Sequence, residues 1–157
     1  MATRSTFLTD ELNDYITARF SSETDELRVL NTEAEAEGIP AISISPEQIN
    51  FLQMMLHSIS ARNVLEIGSL AGYSAIAMAR ALPHDGKLYA CEFLPAHAAF
   101  IRRKVSQLGL DSVITVLEGA ALDTVSALFD STDIVFDAVF IDADKPSYVA
   151  YLEGSLP

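Results

Sequence analysis

The chain is poor in cysteine and in basic residues. Its single cysteine, Cys91, excludes an internal disulfide and fits a reducing compartment. Lysine and arginine total 10 against 22 aspartate and glutamate residues, so the formal net charge is −12. This balance argues against binding to the phosphate backbone of nucleic acids or to an anionic membrane surface, because both need clustered basic side chains.

Long hydrophobic runs are also missing. No stretch approaches the length of a membrane-spanning helix, and the first residues lack the apolar run of a signal peptide. We therefore expect a cytoplasmic protein that does not associate with membranes. Hydrophobic residues still make up 50% of the 157 residues, which is enough for one domain with its own core. We predict a single domain over residues 1–157, with a helical portion over 1–60 and a βα core over 63–157.

Strands and helices alternate after residue 63. The alternation predicts an α/β fold with a parallel sheet and right-handed crossovers. Ligands of such sheets bind at the carboxyl ends of the strands. Upstream, residues 9–37 predict one or two amphipathic helices, and Ser45-Pro46-Glu47-Gln48 predicts the start of another. The predicted strands are 63–68, 87–92, 113–118 and 135–141, and the helices between and after them are 72–82, 95–108, 121–129 and one from 146.

The segment from Val64 to Ser74 is the most informative part of the chain. An apolar strand enters a glycine turn, and the turn opens a helix whose first N–H groups can face a ligand. Gly68 and Gly72 form G-x-x-x-G rather than the G-x-G-x-x-G of dinucleotide-binding folds, and Glu66 precedes them. This spacing disfavours a nicotinamide-dependent dehydrogenase. The alternative is an ordinary strand–turn–helix whose glycines serve packing.

The other strand ends also carry small or polar residues. Glu92 comes 24 residues after Gly68, where an acid can accept hydrogen bonds from a ribose diol. Ala120, between a glycine and a second alanine, leaves room for a flat purine. Asp142 and Lys145 end the fourth strand, and an oxygen ligand beside an amine suits a divalent cation and a general base. Glu92 and Lys145 each have an ordinary alternative as a solvated side chain at the surface.

Together these segments resemble S-adenosylmethionine-dependent O-methyltransferases of the catechol and caffeoyl-CoA type. The resemblance covers residues 45–153 and is looser in the N-terminal helices. It implies the Rossmann-like parallel sheet of class I methyltransferases. The matching segments are Ser45-Pro-Glu-Gln, Val64-Leu-Glu-Ile-Gly with Gly72-Tyr-Ser, Gly86-Lys-Leu-Tyr-Ala-Cys-Glu92, Gly119-Ala-Ala, and Phe136-Asp-Ala-Val-Phe-Ile-Asp-Ala-Asp-Lys145 with Tyr148.

The resemblance also implies a role for each strand end. Glu92 would bind the ribose of S-adenosylmethionine, and Ala120 would contact its adenine. Asp142 would ligate a divalent metal, magnesium or calcium, and Lys145 would deprotonate the acceptor hydroxyl, so these two are the candidate catalytic residues. The expected substrate is a small hydroxylated aromatic with a vicinal diol. The candidate cofactor-binding residues are Glu66, Gly68 and Ser74 for the methionine portion, with Ser69, Gly72, Tyr73, Glu92, Ala120 and Asp142.

The sequence departs from the family at its C-terminal end. Family members continue into further strands, the next of which ends in an Asp-Asn pair that supplies two more metal ligands. We therefore expect a C-terminally truncated sheet with a weak or absent metal site. Two interpretations remain open, a metal-assisted O-methyltransferase and a catalytically silent module that keeps the cofactor site. The bare apolar edge of strand 135–141 predicts either a fragment of a longer enzyme or a homo-oligomer, most simply a dimer.

Overall fold

The computed structural model describes residues 8–21 and 23–156. Helices and strands alternate from residue 63 onward, which confirms the predicted α/β class. The helices are α1 (Asp10–Phe20), α2 (Asp25–Ala36), α3 (Pro46–Ser58), α4 (Tyr73–Ala79), α5 (Pro95–Gln107), α6 (Ala121–Ser131) and α7 (Tyr148–Gly154), with a 3₁₀ turn at Lys145–Ser147. The strands are β1 (Asn63–Ile67), β2 (Lys87–Glu92), β3 (Ile114–Glu118) and β4 (Ala138–Ile141).

The four strands form one parallel sheet in the order β3-β2-β1-β4. Leu65 of β1 lies opposite Tyr89 of β2 on one side and Val139 of β4 on the other. The chain therefore winds from β1 towards β3 and then returns to the other side of β1. Such a reversal leaves a crevice beyond the carboxyl ends of the central strands.

The sheet is covered by helices on both faces, so β1 is buried without alternation from Val64 to Ile67. Val64 belongs to the larger hydrophobic cluster, which includes buried residues of α2, α3, α4 and α5. Leu65 belongs to the smaller cluster around Val125 of α6 and Tyr151 of α7. Both β1 side chains have no exposed surface. The first strand, which carries the predicted glycine turn, is thus fixed in the centre of the molecule.

The predicted start of α3 is confirmed. The backbone N–H of Ser45 donates to Oε1 of Gln48 at 3.0 Å, and Pro46 occupies the first turn of the helix. This hydrogen bond satisfies a donor that would otherwise lack a partner at the beginning of the helix. The region upstream contains two separate helices, α1 and α2, of the one or two that the sequence allowed.

The fourth strand is shorter than the sequence predicts. It begins at Ala138 rather than at residue 135. The carboxylate of Asp137 accepts the backbone N–H groups of Arg62 and Asn63, each at 2.8 Å, and the Asn63 side chain donates to the carbonyl of Val135 at 3.1 Å. These side-chain bonds occupy groups that strand pairing would otherwise use. The apolar composition of residues 135–141 could not reveal that the strand begins only at Ala138.

Two other predicted bounds also change. The helix predicted over 72–82 ends at Ala79, and the helix predicted from 146 is a 3₁₀ turn followed by α7. Within the residues that the structure describes, no helix combines the length and apolar character needed to cross a membrane.

Candidate functional site

A crevice lies where the sheet reverses, at the carboxyl ends of the four described strands. It consists of a larger cavity of about 550 Å³ and a smaller cavity of about 300 Å³. Gly68, Glu92 and Ala143 line both cavities, so the two are adjoining parts of one space. The structure therefore brings all four predicted strand ends together around a shared crevice.

The glycine turn allows the ends of β1 and β4 to approach each other. Gly68 has φ +93°, and a Cβ built there would overlap the carbonyl oxygen of Asp142 and lie 2.9 Å from its carbonyl carbon. Gly72 has φ +81°, and its Cβ would lie 3.0 Å from Cγ2 of Ile101. Both positions need glycine for conformation and for space. The close approach at Gly68 places Asp142 at the edge of the smaller cavity.

The backbone N–H groups of this turn are mostly occupied within the protein. Gly68 and Ser69 both donate to the carbonyl of Cys91 at 3.1 Å, and Gly72 donates to the carbonyl of Ser69 at 2.6 Å. The N–H of Leu70 donates to Oε2 of Glu92 at 2.8 Å. The sequence suggested N–H groups open to a ligand, as a phosphate cradle requires. These four N–H groups are therefore bonded within the protein and are not open to a ligand.

Glu66 lies behind the crevice and lines neither cavity. It has no exposed surface, and the hydroxyls of Ser69 and Ser74 both donate to its carboxylate. Burial raises the pKa of Glu66 to about 7, against the lowering effect of these two hydrogen bonds. While Glu66 is ionised it can only accept, so each serine directs its single proton to it. The serine oxygens then present lone pairs to the smaller cavity, which both residues line.

Glu92 lies between the two cavities, and its carboxylate is held in one orientation. One oxygen accepts the N–H of Leu70, and the other accepts the N–H of Leu94 at 2.9 Å. Nδ1 of His97 lies 3.5 Å from that second oxygen. Each carboxylate oxygen can accept a further hydrogen bond. A fixed pair of acceptors at this place suits the two hydroxyls of a diol.

The larger cavity is mostly apolar around Glu92. Gly119 and Ala120 line it at the end of β3, as the sequence predicts. Phe93 and Tyr151 are among the lining residues that the sequence reasoning missed. Phe93 is 68% exposed and directly follows the strand-end acid, a position that could have drawn attention to it. Tyr151 lies on α7, whose packing against this space no local pattern indicates.

The smaller cavity has a wall that the sequence reasoning also missed. Ile42, Ser43 and Ile44, in the loop before α3, line it opposite the glycine turn. The Ser43 hydroxyl donates to Oδ1 of Asn31 in α2 at 3.1 Å, which fastens the loop to that helix. This short segment has no motif of its own, so its position depends on tertiary packing. Tyr73, a predicted site residue, lines the same cavity.

The residues after β4 are less closely grouped than the sequence predicts. Asp142 is exposed and lines the smaller cavity, whereas Lys145 is exposed in the 3₁₀ turn and lines neither part of the crevice. The carboxylate of Asp144 accepts the hydroxyls of Ser147 at 2.5 Å and Tyr151 at 2.6 Å. These two bonds lower the pKa of Asp144 and direct its oxygens towards α7.

The described residues do not fit a divalent metal on their own. Among residues 8–21 and 23–156, no three His, Cys, Asp or Glu side chains come together to hold a metal ion. Asp142 offers one carboxylate, and Asp144 is already bound to two hydroxyls. Magnesium needs an octahedron of oxygen ligands and calcium needs six to eight, so one carboxylate is a poor site for either.

The sequence was compared with known protein families. The profile of the O-methyltransferase family matches residues 17–157. The chain belongs to this family. It is 40% identical over 147 residues to a catechol O-methyltransferase of Niastella koreensis, covering 94% of this chain and 66% of that protein. It is 30% identical to a caffeoyl-CoA O-methyltransferase of Medicago sativa, covering 94% of this chain and 62% of that one.

Solved structures of this O-methyltransferase family share the fold. An O-methyltransferase from Bacillus cereus in complex with SAH superposes with a TM-score of 0.87 at 33% identity, over 92% of this chain and 66% of that one. One from Streptomyces achromogenes, in complex with SAM, gives a TM-score of 0.84 at 29% identity, over 92% and 65%. These likenesses confirm the predicted class I methyltransferase sheet. The chain spans slightly less than two thirds of the length of these relatives.

Proposed function

We propose that the crevice binds S-adenosylmethionine and that the protein transfers its methyl group to a hydroxyl of a small, catechol-like aromatic. One observation carries the proposal: the crevice joins the Gly68 turn, the fixed carboxylate of Glu92 and the small residues at Ala120 in one space. The O-methyltransferases of known structure bound to SAH and SAM share this fold. Residues 1–157 then act as one cofactor-binding domain, which we expect in the cytoplasm.

The two cavities divide the cofactor between them in this proposal. The larger cavity takes the adenosine, with Ala120 and Phe93 beside the adenine and Glu92 accepting from the ribose hydroxyls. The smaller cavity takes the methionine portion, next to the hydroxyls of Ser69 and Ser74. Glu66 lies outside the cavity and orients those hydroxyls by accepting their hydrogen bonds. Gly68 and Gly72 keep the turn clear of side chains, Tyr73 forms a wall, and Asp142 lies at the rim.

Methyl transfer needs an acceptor oxygen held in line with the sulfonium methyl and deprotonated near neutral pH. The sulfonium is already a good leaving group, so the protein contributes position and a proton acceptor. Lys145 begins the 3₁₀ turn directly after Asp144, which lines the larger cavity, and we assign it as the base that takes the proton. Acceptor rings would enter beside Ile42 and Leu70, which give this side an apolar wall.

Metal assistance stays a prediction from the family resemblance. Because Asp142 offers one carboxylate and Asp144 is already bound to two hydroxyls, we derive no step through a metal ion. A catalytically silent cofactor-binding module is the second candidate, and this sparse ligand set is the observation that favours it. Both candidates require the cofactor, so binding and turnover must be measured separately.

Cofactor binding is tested by calorimetry with S-adenosylhomocysteine. We expect Glu92→Ala to weaken binding by at least about tenfold, because a charge-assisted acceptor of the ribose is lost. Glu118→Ala is the matched control, since Glu118 ends the neighbouring strand and pairs with Arg102 outside the crevice. Equal affinity of both variants and the unsubstituted chain would contradict the assigned site.

Turnover is tested with catechol and S-adenosylmethionine, with and without magnesium. We expect methylated product, and we expect Lys145→Ala to lower the rate about 100-fold while leaving the affinity for S-adenosylhomocysteine unchanged, since general-base catalysis contributes on that order. Lys87→Ala, at the opposite end of the sheet, serves as control. Binding without any turnover would leave only the silent module.

A further inference from the structure

Two adjacent residues between α1 and α2 hold both ends of α4. The Tyr73 hydroxyl, at the first residue of α4, donates to Oε1 of Glu23 at 2.8 Å. At the other end, Nη1 of Arg80 donates to Oγ1 of Thr24 at 2.8 Å. Glu23 and Thr24 thus connect the segment between α1 and α2 to α4. Since α4 has only seven residues and short helices are marginal on their own, such external bonds contribute to its position.

Tyr73 separates two spaces. Its side chain lines the smaller cavity of the crevice and also a separate cavity of about 180 Å³, which Glu23 and Arg80 line as well. The residue is only 2% exposed. It belongs to the larger hydrophobic cluster, so core packing and the hydrogen bond from its hydroxyl together set where the ring lies.

Glu23 is itself fixed. Its second oxygen lies 3.5 Å from Nε of Arg28, and its side chain is 17% exposed. Burial, together with the bond to Glu23, raises the pKa of the Tyr73 hydroxyl above its ordinary value of 10. The hydroxyl therefore stays protonated and keeps donating to Glu23 over the whole neutral range.

We propose that Glu23 is a positioning residue for the cofactor. Through Tyr73 it fixes part of the wall of the smaller cavity that Ser69 and Ser74 also line, so the segment between α1 and α2 helps to set cofactor affinity without touching the ligand. This inference rests on the proposed function, because it concerns the same crevice. Glu23 lies 43 residues before Glu66 in the sequence, and no motif of the chain includes it.

The test measures affinity for S-adenosylhomocysteine by calorimetry in four variants. We expect Tyr73→Phe and Glu23→Ala each to weaken binding about tenfold, as loss of a hydrogen bond to a charged group implies. The double variant should lose about tenfold as well, because both changes remove one interaction. Glu23→Gln should stay within about threefold of the unsubstituted chain, since its amide oxygen still accepts.

Two controls separate positioning from general destabilisation. Glu37→Gln removes an exposed ion pair to Arg103 at the end of α2 and should leave the affinity unchanged. Thermal unfolding without ligand checks that the variants fold. If Glu23→Ala does not fold, the affinity of Tyr73→Phe alone tests the inference. Unchanged affinity in Tyr73→Phe, or fully additive losses, would overturn the inference alone. Failure of the unsubstituted chain to bind would overturn it together with the proposed function.

Discussion

Glu66 places a titrating carboxyl in the centre of the molecule. Its pKa moves from 4.5 to about 7, so between these values the folded protein holds a proton that the unfolded chain has released. The free energy of unfolding therefore falls as pH rises through this window and levels off above it. The shift corresponds to about 3 kcal/mol for this single group. We expect Glu66→Gln to remove this slope and to be relatively more stable at pH 8.

Urea unfolding at pH values from about 5 to 8 checks this expectation. Glu118→Gln, a change at a partly exposed strand-end acid, should keep the slope of the unsubstituted protein. A slope that survives in Glu66→Gln would place the titrating group elsewhere.

Gly68 and Gly38 offer a matched pair for a second test. Both have positive φ, +93° and +82°, but a Cβ at Gly38 meets nothing within 4 Å whereas one at Gly68 overlaps the backbone of Asp142. Gly38→Ala should cost about 1 kcal/mol of unfolding free energy for its conformation alone. Gly68→Ala should cost about 3 kcal/mol or more, because backbone of β4 must also move. Equal losses in denaturant titrations would show that space at Gly68 is unimportant.

At the scale of elements, Asp137 fastens the beginning of β4 to the beginning of β1. Its pKa is lowered because its carboxylate accepts the N–H groups of Asn63 and Arg62. This stabilisation is present above the ordinary pKa of 3.8 and is lost as pH falls through the lowered value. Asp137→Ala should reduce the unfolding free energy by about 1 kcal/mol at neutral pH, allowing for solvent screening. Asp133→Ala, in the loop just before, should change it much less.

The order and type of the core elements could be predicted from the sequence, because buried parallel strands read as apolar runs between helical segments. Strand-end residues such as Glu92 and Ala120 follow from that order. The direction in which a side chain points does not follow from the order of the elements. Glu66 and Asp144 both lie where a ligand contact was conceivable, yet their oxygens bind hydroxyls of the protein itself. The wall at Ile42 and the bond from Tyr73 to Glu23 depend on packing between distant segments.

At the scale of the whole molecule, the edge of the sheet at β4 is open. β4 has β1 on one side and no described strand on the other, and its residues are only half-buried. Val135, just before it, is 59% exposed. An uncovered apolar edge invites pairing with another chain. The predicted homo-oligomer therefore stays our expectation for the chain in solution.

Light scattering over a dilution series checks this. We expect a mass above 17.0 kDa that falls on dilution, and less association in Val135→Lys, since a charged lysine at an edge opposes pairing. Val29→Lys is the matched control, because Val29 is similarly exposed at 52% on α2, away from the edge. A monomer at every concentration would rule out the expectation.

Because the N–H of Leu70 donates to Glu92, the shape of the crevice depends on the length of the Glu92 side chain. Leu70 has φ +51°, a conformation that a leucine adopts only under constraint, and the carboxylate of Glu92 spans from the next strand to hold its N–H. Aspartate would keep the charge but fall one methylene short. The two cavities, both of which Glu92 lines, would then lose the hydrogen bond that fixes the glycine turn to the end of β2.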